Sequence, residues 1–276
     1  MLDATSVRWV REVVDSSGAS FRTGRAGRRI VAEWSGLGTL SVRDDGTGAE
    51  AHVLPQVSAR DEAKWRRGAV RALLRHLAGR ATLHASSVAL HGRAIVFLGA
   101  SGAGKSTTAA AVCEILQGEL LADDLTEVDA EETNFVVNPS DDVHWLLGDS
   151  AAALGHATVG DQKESLAAAR VAREPFTLAA IYVLAFGADD SAPALEVLRG
   201  EAAFEAVNAA YVRFVVDDAS VHLRDLDSLA RLAAAAPIYR LLRPRSFQRI
   251  RETTALLERV VRSAAAPTTH SHFMRR

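Results

Sequence analysis

One eight-residue run limits what this chain of 276 residues can fold into more than any other feature: Gly99-Ala100-Ser101-Gly102-Ala103-Gly104-Lys105-Ser106. Its spacing is G-x-x-x-x-G-K-[ST]. Glycines at these positions let successive backbone N–H groups converge on one point without side chains in the way. An apolar run at 94–98 precedes the motif and an alanine-rich stretch to about 116 follows it. Strand, glycine-rich turn and helix N-terminus together make an anion-binding end, because the first turn of a helix leaves N–H groups unpaired. The ligand this predicts is the phosphate chain of a nucleotide. Gly99, Ser101, Gly102, Ala103 and Gly104 would wrap it, Lys105 would neutralise β- and γ-phosphate charge, Ser106 would offer a hydroxyl to Mg²⁺, and Thr107 would follow in the first helical turn.

Lysine is rare: Lys64, Lys105 and Lys163 stand among 32 basic residues, the rest arginine. One of the three completes the glycine motif. Lys163, in Gly160-Asp161-Gln162-Lys163-Glu164, is a candidate for contact with phosphate or substrate. Arg240 and Arg243, around Pro237 and Pro244, are candidates for the same reason, since a guanidinium matches phosphate in a bidentate way.

Leu120-Leu121-Ala122-Asp123-Asp124 puts two carboxylates at the end of an apolar strand. In open α/β sheets ligands bind at the carboxyl ends of strands. Two neighbours both reach a ligand only if the chain turns there, since strand side chains alternate. One aspartate could then hold Mg²⁺ while the other accepts a proton from an attacking hydroxyl.

The rest of the chain reads as follows. Residues 29–34 and 39–43 are strands within a glycine-rich β unit at 20–57. From 61 to 79 the period becomes helical, with Gly79 as a C-cap. Lys64, Arg67, Arg71 and Arg75 line one helix face, expected to be solvated. Strands are expected at 83–90, 93–98, 119–122, 125–128, 134–138, 178–186, 195–198 and 238–242, the second joined to the first by His91-Gly92. Helices are expected at 105–116, 150–154, 164–172, 201–209 and 223–235, and a final amphipathic one carries Phe247, Ile250, Leu257 and Val261. Three parts result: 1–80, a β-rich unit ending in a basic helix; 81–265, a nucleotide-binding α/β domain; and 266–276, a tail expected to be disordered, with His270 and His272 in it. Trp9, Trp34, Trp65 and Trp145 are expected as core anchors.

The run Leu83-His84-Ala85-Ser86-Ser87-Val88, then Gly92, the glycine motif through Thr107, and Leu121-Ala122-Asp123-Asp124 resembles the kinase domain of the HPr serine kinase/phosphorylase family. It looks most like short members such as lasso-peptide precursor kinases. The resemblance extends to 178–184 and to Pro237-Ile238-Tyr239-Arg240-Leu241. It implies a P-loop fold of the phosphoenolpyruvate-carboxykinase type, ATP and Mg²⁺ as cofactors, and transfer of a γ-phosphoryl group to a serine or threonine hydroxyl of a peptide or small protein. It also implies His84, Lys105, Asp123 and Asp124 as catalytic residues, with Ser106 and Asp124 as metal ligands. A natural-product precursor peptide is one such acceptor. Two departures stand out. Thr107 occupies the place of the glutamate that follows Lys-Ser in the bifunctional enzymes, and their glycine-rich signature beyond the aspartates has no clear counterpart. Both bear on phosphorylase activity and on HPr as substrate. The rival readings are a non-catalytic nucleotide- or peptide-binding module, a small-molecule kinase and an ATPase switch. The resemblance leaves a homo-oligomer open.

Composition excludes other classes. Net charge is −2, so no broad basic field calls for nucleic acid or an anionic membrane. Hydrophobic residues make up 48%, enough for a sizeable core. A lone cysteine, Cys113, forms no internal disulfide and is expected as a buried, inert thiol. With no apolar run long enough to span a bilayer and no signal-like start, a cytoplasmic location is expected.

Overall fold

The computed structural model describes residues 7–14, 18–157, 164–188 and 190–265. A five-stranded antiparallel meander comes first: β1 (Arg8–Val14), β2 (Ser20–Ala26), β3 (Arg29–Trp34), β4 (Gly38–Arg43) and β5 (Glu50–Val53), in that order. Alternation sends Ile30, Ala32, Leu40 and Val42 to one face. The helix that covers this face begins at Ser58, whose hydroxyl accepts the Asp61 N–H. It runs as α1 (Ala59–Trp65), a π-helical turn at Arg66–Val70, and α2 (Arg71–Leu77). It stops where sequence predicts. Gly79 takes φ of 74°, and the Gly79 and Arg80 N–H groups donate to the His76 and Arg75 carbonyls, as in a Schellman motif. Trp65 and Leu73 pack on the meander, and Phe214 and Val215 close this core from the other end of the chain.

The rest is mixed α/β. The strands are β6 (Ala81–His84), β7 (Ser86–Leu90), β8 (Arg93–Leu98), β9 (Glu119–Ala122), β10 (Leu125–Ala130), β11 (Phe135–Asn138), β12 (Val143–Leu146), β13 (Glu164–Ala167), β14 (Phe176–Phe186), β15 (Ala194–Leu198) and β16 (Ile238–Arg243). The helices are α3 (Lys105–Leu116), α4 (Gly148–Ala153), α5 (Gly200–Ala210), α6 (Ala219–Ala235) and α7 (Ile250–Ala265). Nine strands form one sheet, in the order β6-β10-β11-β14-β8-β7-β9, with β16 on β14 and β15 outside β16. β12 and β13 make a separate ribbon. β8 is central and buried throughout 94–98, which is why it reads as an unbroken apolar run. Its residues alternate between two cores. Val96 and Leu98 join Val207, Leu229 and Leu232 of α5 and α6; Ile95 and Phe97 join Val112, Leu257 and Val261 of α3 and α7. Helices therefore cover both faces.

Several expectations are corrected. Residues 83–90 form two strands, broken at Ala85, because β6 pairs with β10 while β7 pairs with β8 and β9. Residues 164–167 form a strand rather than a helix, paired antiparallel to β12. β1 lies outside the strands read from sequence. Of the basic stripe, Arg75 is buried against Glu127 and Asp129, and Arg71 pairs with Glu127. Part of that face thus docks on β10, while Arg67 stays exposed and Arg71 half-exposed. Cys113 is buried, and burial pushes its thiol up to about 12. Lys163 and the 266–276 tail lie outside the described residues. Among the described residues, no helix is long and apolar enough to cross a membrane.

Candidate active site

Topology gathers the candidate residues on one edge. β7 is antiparallel to both β8 and β9, so β8 and β9 run the same way and end side by side, one strand apart. That puts their ends roughly 10 Å apart. β14 and β16 are parallel to β8 and end on the same edge. The glycine-rich loop after β8, Asp123-Asp124 after β9, and Arg243 at the end of β16 therefore face one region.

The loop is shaped by two close approaches. A Cβ on Gly99 would lie 2.9 Å from the Ala103 methyl, and one on Gly104 would lie 2.5 Å from Nη2 of Arg243. Gly104 also has φ of 82° as the residue that opens α3. Lys105 is 8% exposed, and its Nζ donates to the Gly99 carbonyl at 2.9 Å. Ser106 and Thr107 are half-buried in the first turn of α3, and the Thr107 hydroxyl donates to Ser150 Oγ on α4 at 3.1 Å.

The two aspartates differ sharply. Asp123 is 2% exposed. Its Oδ1 accepts from Ser86 Oγ at 2.5 Å and its Oδ2 from the Trp145 N–H at 2.7 Å. Asp124 has a side chain 51% exposed and lies 3.3 Å from Nδ1 of His84. The alternation problem is solved by the backbone: Asp124 adopts φ of 96°, a turn rare for a residue with a Cβ. His84 ends β6 opposite Leu125, which brings it beside Asp124.

Sequence reasoning missed three neighbours. Asp141 accepts the Asp123 N–H at 2.9 Å. Burial, then repulsion from Asp123, Asp124 and Asp142, pushes its carboxyl up to about 6, against the hydrogen bond that lowers it. Ser86 holds Asp123; its only sequence signal was its place two residues after His84. His144 is buried on β12 with neither ring nitrogen hydrogen-bonded, and burial lowers its pKa despite the nearby charge of Asp123.

Arg243 is 8% exposed. Its Nη2 donates to the Ala103 carbonyl of the loop, its guanidinium lies 4.8 Å from the Phe186 ring centroid, and its Nε is buried without a hydrogen-bond partner. No carboxylate lies within ion-pair distance among the described residues. Burial pulls its pKa down to about 10. Arg240 is elsewhere in chemistry: it forms a cross-strand ion pair with Glu196 at 3.2 Å on the surface.

Beside the aspartates lies a cavity of about 480 Å³. Asp123, Asp124 and Asp141 line one side, Trp34 and Leu37 of the meander another, and Lys64, Trp65 and Arg67 a third; Trp145 also contributes. Three of the four tryptophans expected as core anchors thus line a cavity, and of these only Trp65 is buried. Among the described residues, no group of three or more His, Cys, Asp or Glu side chains gathers as a metal cluster.

No family model and no curated protein matches the chain. Among solved structures, the Hpr(Ser) kinase/phosphatase from Coxiella burnetii is a distant neighbour: 13% identity, a TM-score of 0.35, and coverage of 67% of this chain and 90% of that one. A likeness this weak identifies nothing by itself.

Proposed function

We propose that this chain is a kinase that transfers the γ-phosphoryl group of ATP, with Mg²⁺, to a serine or threonine hydroxyl of a peptide or small protein, such as a natural-product precursor. On this reading the nucleotide-binding unit is a P-loop domain of the phosphoenolpyruvate-carboxykinase type. The observation that carries the proposal is Arg243. A buried guanidinium normally meets a carboxylate, because desolvating a charge costs several kcal/mol. Arg243 meets only a carbonyl and a ring, beside a glycine-rich loop and Lys105. An anion in that loop supplies the missing counter-charge, and triphosphate fits the motif.

The loop amides and Lys105 then hold the β- and γ-phosphates, and Arg243 turns from Ala103 towards them. The difference between the aspartates divides their roles. Asp124, open and steadied by His84, takes the acceptor's proton as the hydroxyl oxygen bonds to the γ-phosphorus and the bridging bond to the β-phosphate breaks. Asp123 keeps lone pairs beyond the two already engaged, so Ser106 and Asp123 would hold the metal, in place of Ser106 and Asp124. Two hard oxygen donors beside phosphates suit Mg²⁺, which usually takes few protein ligands. When bound, the ion neutralises phosphate charge.

The test is incubation with ATP, Mg²⁺ and the peptides encoded beside the gene, followed by mass spectrometry. A phosphate-sized mass gain is expected, lost in Asp124→Asn with ATP binding retained. Free phosphate without a labelled peptide would indicate an ATPase instead.

A further inference from the structure

Topology fixes which way a nucleotide lies on the glycine-rich loop. β8 carries the loop. On one side of it, across β7, β9 ends in Asp123-Asp124; on the other side β14 and then β16 end on the same edge. A γ-phosphoryl group presented to an acceptor at Asp124 lies on the β9 side. The phosphate chain then leaves the loop towards β14 and β16, and the nucleoside lies there. The loop, Lys105, Ser106 and the aspartates serve phosphate, metal and proton; a base needs a surface of another kind.

The β14 side carries such a surface. Leu98, the last residue of β8, pairs with Val183, so β14 continues three residues further, about 10 Å. Its last residue, Phe186, therefore stands beside the loop rather than below it. Alternation puts Phe186 on the sheet face of Leu184, which packs in the core beneath α3. The Phe186 ring is 38% exposed, although a phenyl ring gains most by burial. Two guanidiniums lie against it, Arg243 at 4.8 Å and Arg245 at 4.7 Å from the ring centroid. Arg243 reaches inward to the Ala103 carbonyl of the loop, whereas Arg245 is exposed. Phe247, the other exposed phenyl ring among the described residues, follows in the short turn Phe247–Arg249. That turn packs on α4, whose Ser150 accepts the Thr107 hydroxyl.

We infer that Phe186 and Arg245 form the nucleobase subsite, with the base lying flat against them while its phosphates fill the loop; the inference rests on the phosphotransfer reading. A phenyl ring and a planar guanidinium both stack on the π-face of a base. Arg243 links the two parts of the site, since it lies against Phe186 and touches the loop. The exposure of Phe186 and the pair of arginines on it then have one cause, a flat ligand that covers them.

Inorganic tripolyphosphate has the phosphates of ATP and no base, so the two ligands separate the subsite from the loop. Calorimetry of the full chain with the magnesium complex of each is the test. Phe186→Leu is expected to weaken ATP roughly tenfold and to leave tripolyphosphate as in the parent, which also shows the variant folded. Phe186→Tyr keeps a ring and should bind ATP as the parent does. Arg245→Lys keeps the charge and loses the plane, and should weaken ATP about threefold with tripolyphosphate unchanged. Val197→Ala, at an exposed apolar residue of β15, should change neither ligand. ATP affinity unchanged in either Phe186→Leu or Arg245→Lys overturns the subsite and leaves the loop. Equal weakening of both ligands does the same, because the ring then acts on phosphate through Arg243. No binding of either ligand to the parent removes the phosphotransfer reading and the subsite with it. Base-dependent binding with no phosphate gain in any peptide leaves the subsite and removes the kinase reading.

Discussion

Arg75 and Arg243 are buried to the same extent, each 8% exposed, and their surroundings are opposite. Arg75 sits between α2 and β10 with Glu127 and Asp129 within 3.2 Å, plus the Ala81 carbonyl. Burial alone would raise the Asp129 carboxyl; the Arg75 hydrogen bond and charge outweigh it and hold it below the usual range. Arg243 has no carboxylate, one unpaired nitrogen and a pKa lowered by burial. The first arrangement is complete as it stands and fastens the basic helix to the sheet. On the phosphotransfer reading an anion completes the second. Burial then does not separate structural from functional arginines in this molecule, whereas the identity of the counter-charge does.

The comparison breaks most visibly through Arg75. Arg75→Met leaves Glu127 with Arg71 alone and Asp129 with Arg80 and Asn138, and the expected loss is about 2–3 kcal/mol of stability, read by urea unfolding. Arg243→Met should do the reverse: stability within about 1 kcal/mol of the parent or above it, and ATP affinity down by roughly 2–3 kcal/mol. If Arg243→Met destabilises the protein as Arg75→Met does, both arginines are structural.

Asp141 sharpens the comparison by pH. Its folded pKa, about 6, lies above the unfolded carboxylate value near 3.8. The folded state therefore holds the proton more tightly. The contribution to stability is full below the unfolded value and is lost as pH rises through about 6. Asp141→Asn keeps an acceptor for the Asp123 N–H, so without Mg²⁺ it should stabilise the protein by on the order of 2 kcal/mol at pH 8 and by almost nothing at pH 3.5. Asp129 has the opposite sign, its stabilising share being lost as pH falls. The smallest effect concerns the turn. Asp124→Gly relieves the positive φ and should raise stability by about 1 kcal/mol while abolishing phosphate transfer.

How much of this was legible in the sequence depends on distance along the chain. The glycine loop, Gly79 as a cap and the His91-Gly92 hairpin rest on contacts between near neighbours, and local spacing encodes those. The break at Ala85 depends on β6 and β7 choosing different partners, β10 and β9, far along the chain. The stretch 164–172 reads as helix because it is alanine-rich; pairing of 164–167 with β12 overrides that preference. The docked half of the basic stripe was hidden because its partners, Glu127 and Asp129, lie more than fifty residues on. For Asp124 the spacing raised the question and the backbone answered it. Asp141 and His144 carry no local pattern and are visible only once the strands are assembled; Ser86 lies in the run that carries the resemblance, but its bond to Asp123 shows only with β7 beside β9.

Titration calorimetry of the full chain with ATP and Mg²⁺, run in parallel on Lys105→Ala, tests the central claim most directly. The account predicts one saturable site in the parent and an affinity at least about 100-fold weaker in Lys105→Ala, since a buried charge contact to phosphate is removed. No binding to the parent, or equal binding to both, would contradict it.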